Sequence, residues 1–477
     1  MENIILQIVS ESVKEFIKYF EGQGIGALSH MAEEFKQISD EMAKKVLLAF
    51  IASADGAINE AKAERKADGI KVHERNVPRT LYTALGSLTY ERTYFDTAGG
   101  RSYLLDSILD VPPYERIDSG VSAQLVNAAA HNSYKRSADI ATGGQISRQS
   151  VKNKAMSTGE VLYEPARVRR TPEALHIFAD EDHVNLQNGK NTILPLITVS
   201  AGKRGICKGR NELIDPFHVH GYGITPEEHW EYVYALCAEK YDISRVRKVY
   251  IYADGAPWIK KCFDVFPGAV YILDKFHFKK RMRALFAGAL RSPFSLPART
   301  AIMRNDRQSF DRAIQKMFDA IEEKLPESGE KSRMIKSVKE HSAYILAHWD
   351  AIQNSGLPES VGSCTEALVS HALSERFSRN PMGWSEEGLS KMAMIRIFAL
   401  NGGKVGPADT LAWKHSDKRH RVITKLEKYD AIIKVQQEKI FKDVKGWRWF
   451  EVDSLISGKT TGTRVALDAL ARTRNIG

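Results

Sequence analysis

Apolar and polar positions change period several times along the chain, and each change marks an element. The opening MENIILQIVSESVKEFIKYF places Ile4, Ile5, Ile8, Val9, Phe16 and Phe20 at the spacing of an amphipathic helix. Helical patterning continues to about residue 65 and ends in the charged stretch AKAERKADG, which reads as an exposed linker. RTLYTALGSLTYERTYF, residues 79–95, alternates around Gly86-Ser87 and predicts a β-hairpin. Residues 101–160 turn helical. From about residue 172, HIFADEDHVNLQ and NTILPLITVS read as strands joined at Asn188-Gly189, a strong hairpin turn. A helix at about 226–241, the buried-strand run RKVYIYADG, the helical PWIKKCFDVF and the strand AVYILDKFH follow, the last running into a basic helix. Antiparallel strands followed by alternating helices and strands predict a mixed α/β sheet. Residues 279–360 are helical, SCTEALVSHALSERFSRNPMGWSEEGLSKMAMIRIF is helix, loop, helix, and the chain from Asn401 is helical and basic, with the cluster WKHSDKRHR at 413–421. There is no internal repeat or low-complexity tract.

SYKRSADIATGGQISRQSVKNKAM has the layout of a helix-turn-helix. Tyr134, Ala138 and Ala141 share a helical face, Gly143-Gly144 breaks the helix, Ser147 can cap the next, and Val151 and Ala155 face inward. Arg148, Gln149, Lys152 and Asn153 then point outward, where long polar side chains can reach base edges. Residues 132–157 carry five Lys/Arg against one Asp. An ordinary helical hairpin with a solvated face would have the same pattern.

Composition narrows the class. The 477 residues leave room for roughly two to four domains. With 43% hydrophobic and 27% charged residues the profile is that of a soluble globular protein. No apolar run approaches the ~18 residues of a membrane span. Glu2, Glu11 and Lys14 interrupt any signal-peptide core. The four cysteines, Cys207, Cys237, Cys262 and Cys364, are too scattered for a zinc knuckle or a disulfide framework, which makes a reducing cytosol the expectation. A net charge of +10 favours a polyanionic partner. Residues 275–312 hold ten Lys/Arg against two Asp, a net of +8.

Phosphodiester chemistry with two metals requires carboxylates converging on ions roughly 3.5–4 Å apart. Asp180 follows the apolar run 175–179, and Asp254 ends the run 249–253 before Gly255, which would admit a close approach. Acids at the ends of apolar strands are costly without a partner such as a cation, although each alone also reads as a turn or helix cap. Asp182 would face the same side as Asp180, which is preferred because it directly follows the apolar run. Glu366 lies near the start of a predicted helix; its competitor Glu375, beside Arg376 and Arg379, reads more naturally as a surface ion pair. Asp274 and His277, in LDKFHF, suit a metal or proton-transfer role, or a satisfied structural histidine.

The fragments RTLYTALGSLTYERTYF, YLLDSILDVPPYERI, SYKRSADIATGGQISRQSVKNK, ADEDHVNLQ, YADGAPWIK, LDKFHF and SCTEALVSHALSERFSRNPMGWS run in order over about residues 75–400. With them the chain resembles the DDE transposases of the ISLre type, an insertion-sequence family of Gram-positive bacteria. The resemblance implies an α/β fold: an RNase H-like mixed-sheet catalytic core interrupted by a helical insertion. On this reading residues 1–70 are an N-terminal helical region, 71–117 a β-hairpin region and 118–170 a helix-turn-helix DNA-binding region. The core occupies 171–278 and 361–400, split by the insertion at 279–360, and 401–477 form a basic helical region. By motif, the triad carries over to Asp180, Asp254 and Glu366 as ligands of two Mg²⁺ (or Mn²⁺) ions, and the D-x-x-H of related groups to Asp274 with His277. The implied activity frees a 3′-OH at each element end and transfers it to target DNA. The implied partners are double-stranded DNA, both terminal inverted repeats and target, and further copies of the chain, at least a dimer, in a bacterial cytoplasm at the nucleoid. The alternatives are an RNase H-like endonuclease without strand transfer and a catalytically silent DNA-binding regulator.

Overall fold

The computed structural model describes residues 2–411 apart from 24–26, 169–170, 208–209 and 381. The cluster at 413–421 and nearly all of the C-terminal region lie outside the described residues.

Helix α1 (Glu2–Gln23) packs on α2 (Leu28–Glu60) through Phe16 and Phe20, whose rings meet Phe35 edge-on at centroid distances of 5.2 and 5.4 Å. The stretch expected to be an exposed linker is instead helix α3 (Lys62–Ala67), and it is anchored. Arg65 is buried and donates to the carbonyls of Ile58 (2.9 Å) and Asn59 (2.7 Å). Its guanidinium thereby satisfies the carbonyls that the end of α2 leaves unpaired.

The predicted hairpin is β1 (Lys71–Thr83) with β2 (Gly86–Thr97), followed by β3 (Gly100–Ser102). A buried ionic node ties it to α4 (Leu104–Ile108). Asp106 takes Arg79 at 3.1 Å, Arg92, and the Tyr90 hydroxyl at 2.9 Å. Arg79 also donates to the carbonyls of Pro112 and Glu115. Two of the sequence fragments noted above therefore meet here, as structure.

Three helices follow, α5 (Ser119–His131), α6 (Tyr134–Thr142) and α7 (Arg148–Ser157). Gly143 ends α6 at φ +59°, and Ser147 caps α7 by accepting from the Ser150 amide. Val151 and Ala155 are buried, in one apolar cluster with Val369, Phe377 and Met392. The three helices thus share a core with the C-terminal helices described below.

The main sheet has the order β10-β9-β4-β5-β8. Strands β4 (Ala174–Asn185), β5 (Asn191–Ser200) and β8 (Phe217–His220) are antiparallel neighbours. Between β5 and β8 the chain forms a separate small hairpin, β6 (Gly202–Cys207) with β7 (Arg210–Ile214). Strands β9 (Lys248–Ala253) and β10 (Val270–Leu273) extend the sheet parallel to β4 on its other side. Helix α8 (Pro226–Lys240) covers one face, burying Trp230 and Val233 against Leu175, Ile177, Ile197 and Ile251. A short helical stretch ending in α9 (Cys262–Val265) joins β9 to β10.

After β10 come α10 (Lys275–Leu285), α11 (Ser295–Met303), α12 (Arg307–Lys324), α13 (Gly329–Ala347) and α14 (Trp349–Asn354). They bury their own cluster around Phe310, Met317 and Ile345. The chain then returns to the sheet with α15 (Thr365–Val369), which runs through one π-helical turn at Ser370–Ser374 into α16 (Glu375–Phe377), and α17 (Glu386–Leu400) closes the core.

Candidate metal centre

The β4–β9 ladder ends at the pair Ala179↔Ala253. Both alanines face α8, so strand alternation turns Asp180 to the opposite face, and Asp254 leaves β9 at the same level. Asp180 ends the apolar run but not the strand: as HIFADEDHVNLQ predicts, β4 runs on to Asn185, because β5 keeps pairing with it. What ends there is only the pairing to β9.

That opposite face carries Phe178, Tyr250, Tyr252 and Ile272, and the segment entering α15 lies over it through Val361, Cys364 and Leu368. Glu366, in the first turn of α15, is delivered to the edge of this layer. His277, in the first turn of α10, arrives from the other end of the helical insertion. Ligand atoms of Asp180, His277 and Glu366 all lie within 4.8 Å of one another, with His277 Nε2 3.8 Å from Glu366 Oε1. Asp180 is buried, His277 half-buried and Glu366 exposed. Burial pushes the Asp180 carboxyl up, to about 7, against the Glu181 amide that it accepts from; the charges of Asp254 and Glu366 push the same way and that of His277 opposes. Asp254 itself accepts from the Ala256 amide (2.8 Å), and its carbonyl accepts from the Tyr344 hydroxyl.

The competing acids have other partners. Both oxygens of Asp182 accept from the Ser378 hydroxyl, at 3.0 and 2.8 Å. Glu375 pairs with His371 at 3.0 Å and Arg379 at 3.5 Å. Arg376, expected beside it at the surface, is buried, donates to the Ala129 carbonyl and lies over the Trp384 ring.

Asp274 is a brace. It is 2% exposed. One oxygen accepts from the amides of Phe276 (2.6 Å) and His277 (3.2 Å), capping α10. The other accepts from the hydroxyls of Ser363 and Thr365, the latter at 2.6 Å. One carboxylate thus joins the starts of the two helices that bear His277 and Glu366. Burial opposes its charge, but hydrogen bonds from His277, Ser363 and Thr365 hold the carboxyl well below the usual carboxylate range. His277 Nδ1 lies 3.5 Å from Asp274 Oδ1, and that pairing, against burial and with help from Asp180 and Asp254, raises the imidazole pKa. Gly255, expected to admit a close approach, is approached by the protein: at φ +97°, a Cβ there would lie 2.3 Å from His348 Nε2.

The donor set fits a hard divalent cation. Carboxylate oxygens with one imidazole suit Mg²⁺ or Mn²⁺ rather than a thiolate-loving metal. Cys364, two residues before Glu366, packs in the apolar layer, and burial pushes its thiol up to about 11. A buried carboxyl that resists ionisation beside two more acids is the situation that a cation relieves.

On α7, Arg148, Gln149 and Asn153 are exposed and Lys152 is half-buried; Gln149 donates to Asn153 at 2.9 Å. Sequence reasoning missed the bracing Ser363 and Thr365. Their position before a helix acid hints at a cap, but their acceptor stands about ninety residues earlier.

Residues 24–413 match the sequence model of an uncharacterised protein family, UPF0236. Similar proteins occur in Caldanaerobacter subterraneus subsp. tengcongensis. A UPF0236 protein there is 31% identical over 443 residues, covering 91% of this chain and 91% of its own length. Another, whose name joins eleven locus designations, is 33% identical over 410 residues, 84% of each chain.

Proposed function

This chain belongs to the UPF0236 family, and from that premise and the site geometry we propose that it is a DNA transposase, cutting element ends and joining them to target DNA. The observation that carries this is the convergence of Asp180, His277 and Glu366 within 4.8 Å; Asp254 stands outside that group, at the end of the neighbouring strand, where its charge acts on Asp180. An RNase H-like reading of the core is supported by the sheet, in which three neighbouring antiparallel strands, β4, β5 and β8, are extended by two parallel ones, with acids where β4 and β9 part. A relative whose name joins eleven loci in one bacterium is what a self-copying element leaves behind.

Asp180, Asp254 and Glu366, with His277, would hold Mg²⁺ or Mn²⁺, which supplies charge stabilisation at phosphate oxygens and acidifies bound water. The protein's part is placement. Asp180 is fixed in the sheet between β5 and the end of β9. Asp254 is fixed by the Ala256 amide and Tyr344. Asp274 clamps the two helix starts that carry His277 and Glu366. The exposed polar face of α7 would read the terminal repeats, and phosphate contacts would make binding salt-dependent.

The test uses the full chain, duplex DNA carrying the sequences that flank its gene, and Mg²⁺ or Mn²⁺. Cleavage at the ends and joining of pre-cut ends are expected. Asp254→Asn or Glu366→Gln should abolish both while DNA affinity is unchanged. Cleavage without joining would leave a nuclease, and cutting retained in either variant would remove that residue from the site.

A further inference from the structure

Helix α10 has a second face. His277 is turned toward the acids, and Met282 and Leu285 are buried in the insertion. Lys275, Lys279, Lys280 and Arg283 are exposed, and among the described residues none has an acidic partner at ion-pair distance. Lys275, Lys279 and Arg283 repeat every fourth residue, a row roughly 12 Å long. Among these cations stands Phe276, 52% exposed. Its ring meets the His277 ring edge-on, at 5.4 Å between centroids and 88° between planes. The exposed aromatic is therefore in contact with a residue of the candidate centre.

A lone phenylalanine surrounded by unpaired cations is a poor patch for an apolar partner. It matches a single-stranded nucleic acid, whose bases offer π-faces and whose backbone offers phosphates at short intervals. A paired base cannot present its face, since its neighbours in the duplex cover it. We propose that α10 is the platform for an unpaired stretch of the DNA strand that enters the site: one base stacks on Phe276, and Lys275, Lys279, Lys280 and Arg283 hold the phosphates beside it. This rests on the transposase reading and adds that the DNA end is opened where it is cut. The cationic row also offsets the acids, which would otherwise repel the backbone.

The experiment is a binding measurement without divalent metal, so that it stands apart from catalysis. The probe is a DNA duplex with a short single-stranded tail containing 2-aminopurine, compared with the same duplex blunt-ended. Wild type should bind the tailed duplex more tightly than the blunt one and quench the 2-aminopurine. Phe276→Ala should lose the quenching and at least about fivefold in affinity for the tailed duplex only; Phe276→Trp should keep both. Lys279→Ala with Arg283→Ala should flatten the salt dependence of tail binding by roughly 0.7 in log–log slope per cation removed. Equal quenching and affinity in wild type and Phe276→Ala would overturn the platform, even if cleavage is found. Quenching that depends on Phe276 in a protein that never cuts DNA would retain the platform and remove the enzyme.

Discussion

Single side chains set the geometry of the candidate centre, and Asp274 is the one with most consequence. Its charge is compensated by four donors from two helix starts, so loosening any of them lets His277 and Glu366 drift apart. Thr365→Val, which keeps the shape and removes one hydroxyl donor, should weaken Mn²⁺ binding, measured by calorimetry, by about 10–100-fold. Thr365→Ser should recover most of it. Unchanged affinity in Thr365→Val would mean that the brace does not position the ligands. Gly255 is a second such point. Gly255→Ala adds a Cβ both at positive φ and against His348, and should cost about 1–3 kcal/mol in urea denaturation. Adding His348→Ala should return the steric part and leave the backbone part; full recovery would show that φ was never strained.

At the scale of elements, buried charge holds the N-terminal part together at two junctions, Arg65 on the end of α2 and the node at Asp106. The node of Arg79, Arg92 and Asp106 anchors the hairpin to α4. Removing Asp106 leaves two buried guanidinium groups without their carboxylate, so Asp106→Ala should destabilise the fold by about 3–5 kcal/mol. A loss below 1 kcal/mol, measured by denaturant titration, would contradict the node. Helix α7 depends on its cap and turn: Ser147→Ala should cost about 1 kcal/mol through the lost bond to the Ser150 amide. By contrast, Arg148→Ala, at an exposed position, should leave stability alone and weaken binding to DNA ends.

For the whole molecule, acid should be destabilising through histidines folded in their neutral form. Burial pushes His176 down to about 4 and His229 down to about 3, and both are nearly inaccessible. The unfolded chain takes up these protons below about pH 6.5, whereas the folded one does not until about pH 4 and below. No penalty therefore exists above pH 6.5; it grows as pH falls from there and levels off below the folded values. At pH 5 each histidine should cost about 2 kcal/mol. The Asp180 carboxyl, raised to about 7, takes up its proton in the fold over the same range and acts the opposite way, so the His229 share is read as the difference in the pH 7-to-5 shift of the urea midpoint between wild type and His229→Gln, in which the shift should shrink. An equal shift in wild type and His229→Gln would mean that the His229 ring is protonated in the fold.

Local chemistry is what can be read along the chain. The hairpin turns near Gly86 and at Asn188-Gly189, the apolar strand runs before Asp180 and Asp254, the cap at Ser147 and the helical stretch after β10 are all decided within a few residues, and so are legible. The hairpin of β6 and β7 escaped because its glycines and charges give no alternation. AKAERKADG read as linker because Arg65 is satisfied by carbonyls of the previous helix, a contact that composition does not encode. Asp180 and Asp182 are equal by alternation, and the hydroxyl that occupies Asp182 comes from Ser378, almost two hundred residues away. His277 and Glu366 meet because the insertion begins and ends on one carboxylate. Those decisions belong to register and long-range hydrogen bonding, which exist only once distant segments have packed.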